Sequence, residues 1–359
     1  MDADDVIGQA RRPTSGNSAA AANKRLDRGS GLPSRPDIQG TLRAGASDAM
    51  KPFFGYHSPG FSDPGVADID RFDSLTKRVL AVEAAGFDLV TVMDHFYQIV
   101  VVGREEEPML EVYSTLAALA ARTTRVKLGA MVTGVTYRNP ALLAKTVTTL
   151  DTISRGRAVL GLGAAWNESE HIGYGFDFPP IGERMELLDE ALHICKLMFT
   201  EERPSFEGEH FRIERALNIP RPIQPGGPQI LIGGSGERKT LRLVARYADM
   251  SNWWGTLDEL KHKNEVLLRH CEAENRDPST IRRTVMSPVL LVPDAAHAPA
   301  ALARLAPERR AVATVATPVQ AAERLQTYIE AGFTGFIFRN MELTPNDIPL
   351  AAELIKLMS

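Results

Sequence analysis

The stretch VKLGAMVTGVTYRNPALLAKTVTTLDTISRGRAVLGLGAAW, Val126 to Trp166, limits the choice of fold more than any other part of the chain. Val126–Thr133 is rich in β-formers. Asn139 stands where a helix wants an N-cap, with Pro140 at the first helical position. Ala141, Leu142, Ala144 and Val147 begin an apolar helical face. Arg155-Gly156-Arg157 closes that helix, with Gly156 able to take a positive φ. Ala158–Gly163 then returns as a second strand, completing a βαβ unit.

The alternation continues on both sides. Strands are expected at Phe53–His57, Asp88–Met93, Val126–Thr133, Ala158–Gly163, Gln229–Gly233, Met250–Trp254, Thr284–Val292 and Gly335–Arg339. Phe72, Leu75, Val79 and Val82 mark a first helix closed by Gly86. Further helices are expected at Glu183–Phe199, Glu237–Tyr247, Asp258–Glu274, Pro318–Ala331 and Asp347–Leu357. Strands alternating with helices in this number predict an α/β protein, a (β/α)8 TIM barrel with insertions. An open doubly wound sheet is the alternative, disfavoured because no dinucleotide fingerprint follows the first strand. One insertion, Pro204–Pro225, reads as a hairpin around Glu207-Gly208-Glu209. The other, Pro293–Val315, is rich in Ala and Arg. Residues 1–49 show little apolar periodicity, and a disordered tail is expected there, with the barrel over 50–359.

Composition narrows the function classes. The chain has 359 residues, 44% of them hydrophobic, and a formal net charge of −4. That suffices for one large domain and gives no case for nucleic-acid binding. No apolar run is long enough for a membrane span, and the N-terminus lacks the apolar centre of a signal peptide. The two cysteines, Cys195 and Cys271, fall on apolar helical faces and suit a reducing cytoplasm. No His or Cys spacing suits a metal ion.

Barrel chemistry sits at the carboxyl ends of the strands. The second strand exits through Asp94-His95-Phe96, and imidazole can exchange a proton near neutral pH. On position alone, a turn-capping Asp94 and a packing His95 are equally good readings. The fourth strand exits through Gly163-Ala164-Ala165-Trp166-Asn167-Glu168, small enough for a planar ring to approach the backbone. Trp166 could line the pocket or pack in the core. The fifth exits through Gly233-Gly234-Ser235-Gly236-Glu237-Arg238-Lys239, a glycine turn that can offer N–H groups to a phosphate. Trp253 and Trp254 end the sixth, and alternation allows only one to face inward.

These motifs, together with VMDHF, ERMELLDEAL, PRPIQ and ILIGGSGERKTLRLVARYAD, resemble the luciferase-like monooxygenase superfamily. The likeness is nearest to its actinobacterial branch that uses coenzyme F420. It implies an F420-dependent oxidoreductase moving hydride to or from a small organic substrate, commonly as a homodimer. An FMN monooxygenase using oxygen is the alternative, and a cofactor-binding barrel without catalysis a third. The resemblance makes His95 the acid or base, beside Asp94. It places Asp94, Met131, Val132, Thr133 and Arg138 around the cofactor, with a cis peptide at Met131–Val132 behind the ring. Gly163, Ala164 and Asn167 join from the fourth exit, and Gly233, Gly234 and Ser235 hold the phosphate. Arg138, Arg238 and Lys239 are its candidate cations for an anionic tail. Family members that oxidise sugar phosphates keep a carboxylate where Trp166 stands, which counts against that substrate class.

Overall fold

The computed structural model describes residues 51–63, 65–305 and 307–359. The tail expected over 1–49 lies outside them. Strands at Phe53–Ser58, Leu89–Val92, Lys127–Ala130, Ala158–Gly163, Gln229–Gly233, Met250–Trp253, Arg282–Met286 and Gly335–Arg339 form a parallel sheet. It closes where Leu128 and Gly129 of the third strand pair with Ala158 and Val159 of the fourth. Every link around the ring is parallel, from the first–second pair to the eighth–first. The (β/α)8 barrel expected from the alternation is therefore the fold.

Burial follows the period-2 geometry of strands. Phe53, Leu89, Met131, Val159, Leu231, Met250 and Ile337, with Met286 beside them, form a small cluster filling the barrel. Side chains of the opposite parity, such as Val90, Leu128, Leu160, Ile230 and Phe336, join the larger core under the helices. Cys195 and Cys271 belong to that outer core, and burial pushes their thiols up to about 12 and about 11.

The first expected helix forms as α1 (Arg71–Ala84), and the unit singled out in the sequence forms as read, with two refinements. Asn139 caps α3 (Pro140–Ser154) by accepting the Ala141 N–H at 2.9 Å. At the other end both Arg155 (φ 58°) and Gly156 (φ 86°) are left-handed. The third strand also stops at Ala130 and resumes only at Thr133–Gly134, across a cis peptide between Met131 and Val132.

Several elements differ from expectation. The seventh strand does not reach Val292: Ser287 takes φ 53° and Pro288 cannot donate to the ladder, so Leu290–Leu291 pairs separately with Val315–Ala316. The helix expected from Glu237 begins at Thr240, because the glycines before it favour a turn (α6, Thr240–Tyr247). Helices outside the expected set also form: α2 (Val112–Ala120), the short polar α4 (Glu168–Tyr174), and two short ones in the second insertion, Ala298–Ala303 and Pro307–Val312. The Pro204–Pro225 insertion does contain a hairpin, with Phe206–Glu207 antiparallel to Arg212–Ile213. Glu190 of α5 (Ile181–Thr200) holds its turn, accepting N–H groups from Glu209, His210 and Phe211.

Candidate active site

The exit of the second strand and the start of α4 meet at one buried carboxylate. Glu170 has no solvent exposure. Its Oε1 accepts the backbone N–H groups of Phe96 and Tyr97, the latter at 3.0 Å. Its Oε2 lies 2.5 Å from His95 Nδ1 and accepts the Tyr137 hydroxyl at 3.2 Å. Burial opposes ionisation of Glu170. The His95 hydrogen bond and charge, with the two N–H donors, outweigh it and hold the carboxyl below its usual range. Sequence reasoning missed Glu170, since a seven-residue polar helix carries no apolar stripe to announce it.

Asp94 and His95 leave the second strand side by side but have different partners. Asp94, 2% exposed, receives Arg138 Nη1 at 2.6 Å and Nη2 at 3.3 Å. Burial raises its carboxyl above the ordinary range against the pull of Arg138. Arg138 also reaches Glu111, the N-cap of α2, at 2.8 Å, and lies over the Tyr113 ring. Tyr113 in turn shares a 2.8 Å hydrogen bond with Thr133. Asp94, Thr133 and Arg138 thus form one linked group, and the Arg138 guanidinium stands between two carboxylates.

Trp166 overhangs the imidazole. Its ring lies 5.5 Å from that of His95, near edge-on, and is 57% exposed. Ala165 before it takes φ 59°, and Arg184 of α5 clamps this bend by donating to the carbonyls of Ala164 and Ala165. Asn167 caps nothing with its side chain, but its carbonyl oxygen is 2.7 Å from His171 Nδ1. Phe96 stacks on Tyr174 at 4.4 Å and lies 4.9 Å from Tyr137, so the wall beside His95 is aromatic. Of the two tryptophans at the sixth exit, Trp253 is buried and Trp254 is 64% exposed.

The small residues cradle Val132. A Cβ on Gly163 or on Gly233 would come within 2.8 Å of its Cγ2, so any larger residue there would push Val132 aside. Gly234 takes φ 97°, and a Cβ there would meet only Thr240, at 3.6 Å. The backbone at Gly234 is accordingly open to a close neighbour. Lys263, from α7 (Leu257–Ala273), donates to the Ser235 carbonyl at 3.1 Å and brings an ammonium to the glycine turn. The sequence gives no hint of this pairing, since the two residues are 28 apart. Lys239 is directed instead to Glu186, at 3.6 Å, and the Gly182 carbonyl.

Deeper in the mouth, His57, Thr91 and Arg339 stand at one level on three adjacent strands. His57 Nδ1 is 2.9 Å from Thr91 Oγ1, and burial, helped by Arg339, lowers its pKa to about 3.

A buried carboxylate–imidazole pair, a second buried carboxylate with its arginine and an open glycine turn all open on one barrel end. The family model for luciferase-like monooxygenases matches residues 52–311. The chain belongs to this family. Among its relatives, an F420-dependent glucose-6-phosphate dehydrogenase of Kineococcus radiotolerans is 31% identical over 295 residues, 71% of this chain and 83% of that one. Its counterpart from Intrasporangium calvum is 30% identical over 300 residues, 73% and 87% of the two chains. An uncharacterized protein of Mycobacterium tuberculosis is 34% identical over 140 residues, 39% of this chain and 48% of that one. The match therefore spans about half the length of this last relative. An F420-dependent secondary alcohol dehydrogenase, solved with an F420-acetone adduct, superposes with a TM-score of 0.69 at 20% identity, covering 86% of this chain and 98% of that one. At that identity the likeness is one of fold. Among the described residues no helix is long and apolar enough to cross a membrane.

Proposed function

We propose that the protein is an F420-dependent oxidoreductase acting on a small organic substrate. The observation that carries this reading is the His95–Glu170 pair, at the same barrel end as an open glycine turn in a chain related to F420-dependent enzymes. F420, when bound, supplies the hydride acceptor or donor. The residues present suit it. Gly234 leaves room for a phosphate to approach the backbone, and Lys263 and Ser235 lie beside that turn. Gly163, Ala164, Met131 and Val132 border the space for the ring, and Asn167 follows them. His95 exchanges the proton that accompanies hydride transfer. Asp94, fixed by Arg138, orients the polar edge of the ring or the imidazole. Trp166 and the aromatic wall exclude water and favour an apolar alcohol or carbonyl compound over a sugar phosphate.

The exposed Leu142 and Ile153 of α3, with Ile219 and Ile223, support a homodimer in the same reading. Fluorescence titration of the purified protein with F420 and, separately, with FMN tests the cofactor. F420 binding with FMN excluded supports it. Tight FMN binding with substrate-dependent oxygen uptake would replace it with a monooxygenase, and binding of neither would sink it.

A further inference from the structure

We infer that Glu170 is a positioning residue that sets the tautomer of His95, making Nδ1 the donor and leaving Nε2 as the proton acceptor of the site. The inference deepens the reading that His95 handles a proton, and it rests on the different duties of the two Glu170 oxygens. Oε1 receives two backbone N–H groups, from Phe96 and Tyr97, on the same loop that carries His95. That pair of bonds fixes the plane of the carboxylate relative to the loop. Oε2 therefore points at His95 Nδ1, 2.5 Å away, and has no rotation open to it that would not break the Oε1 bonds.

An ionised carboxylate only accepts hydrogen bonds, so the ring nitrogen facing it must carry the proton. Tyr137 donates its hydroxyl to the same oxygen and cannot reverse the pattern. In the neutral imidazole the lone pair is then on Nε2. Other histidines differ. His57 faces the Thr91 hydroxyl, which can donate or accept and so fixes no tautomer. His210, His262 and His297 also meet carboxylates, but on Glu186, Glu237 and Asp294, which are 60%, 46% and 59% exposed against 0% for Glu170. Water competes for those three and cannot reach Glu170. The Trp166 ring against His95 further limits turning of the imidazole.

The substitution Glu170→Gln separates positioning from simple support. The amide oxygen can take over the Oε1 bonds to Phe96 and Tyr97, which keeps the loop in place. The amide nitrogen then faces Nδ1 and, being a donor, requires Nδ1 to accept. The tautomer should invert, leaving the proton on Nε2 and no base toward substrate.

The test is 15N-histidine NMR on the protein without cofactor, with the His95 signals assigned through their loss in His95→Gln. In the native protein the neutral ring is expected to be protonated on Nδ1, and in Glu170→Gln on Nε2. Turnover with F420 should fall by roughly 10²–10⁴-fold in the variant, while F420 affinity stays within a few-fold. Native His95 protonated on Nε2, or the same tautomer in both proteins, would overturn the inference. Should Glu170→Gln fail to fold, the native spectrum alone still decides which nitrogen holds the proton. Failure of the native protein to bind F420 would remove the cofactor reading and leave the tautomer result standing.

Discussion

Arg138 grips Asp94 through two N–H···O bonds, one from each Nη to a different carboxylate oxygen, 2.6 Å and 3.3 Å long, with the carboxylate all but sealed from solvent. A fork of this kind holds both position and charge. Because Arg138 comes from the loop after Thr133–Gly134 and Asp94 from the second strand, the fork ties two strand exits together.

Removing the guanidinium should cost stability as well as function. In Arg138→Ala the Asp94 carboxylate stays buried without its counter-charge, an arrangement that costs about 3–5 kcal/mol when one partner of a buried pair is lost. Urea unfolding is the measurement. Asp94→Asn combined with Arg138→Gln should recover part of the loss. A change under about 1 kcal/mol in Arg138→Ala would mean that solvent reaches the pair.

His95→Ala should separate chemistry from binding. Turnover is expected to fall by roughly 10²–10⁴-fold, the range for a lost general acid or base. F420 affinity should change only a few-fold. Stopped-flow absorbance of bound F420 with a working substrate reads both. Native rates in the variant would assign the imidazole a packing role.

The glycine turn can be tested from two sides. Gly234→Asp puts a side chain on a backbone at φ 97° and a negative charge where a phosphate is proposed, so F420 binding should weaken by an order of magnitude or more. Lys263→Ala leaves the turn intact and should weaken binding by about three- to tenfold, with a shallower salt dependence than the native protein. Unchanged affinity in both variants would move the phosphate elsewhere.

His57 makes a statement about pH. Its folded pKa, about 3, lies below the roughly 6.5 of an unfolded histidine. Between those values the unfolded chain binds the extra proton, so the contribution is complete above about pH 6.5 and is lost as pH falls. The slope is about 1.4 kcal/mol per pH unit. Arg339 disfavours the proton and Glu342 favours it, while His95 disfavours it when charged. His57→Gln should therefore lose about 2 kcal/mol less than the native protein between pH 7 and pH 5, measured by urea unfolding. Equal losses would show that His57 titrates as though exposed.

The barrel was legible because alternation and apolar parity are local properties. Ala158–Gly163, Gln229–Gly233 and Gly335–Arg339 have the same bounds in sequence and structure. The break at Ser287 was visible only as the Pro288 that follows it. Asp94, His95 and the glycine turn could be singled out because each follows a strand, and strand exits are where barrels place function. Glu170, already hidden in a helix without an apolar stripe, and Lys263 share a further difficulty: their partners lie far along the chain, His95 75 residues and Ser235 28 residues away. Sequence spacing shows which residues share an element, not which elements meet.

The three tryptophans of the chain, Trp166, Trp253 and Trp254, all lie at or just beyond the ends of barrel strands on the catalytic side. Trp253 is sealed, with its indole N–H on Ser251 at 2.8 Å, whereas Trp166 and Trp254 meet solvent. Intrinsic tryptophan emission from the folded protein consequently comes from indoles carried at one end of the barrel strands. An aqueous quencher such as acrylamide divides that light into two reachable indoles and one unreachable one. Anything that occupies the space beside His95 should shield Trp166 and shift the division, giving a label-free signal for ligands whose own chemistry is silent.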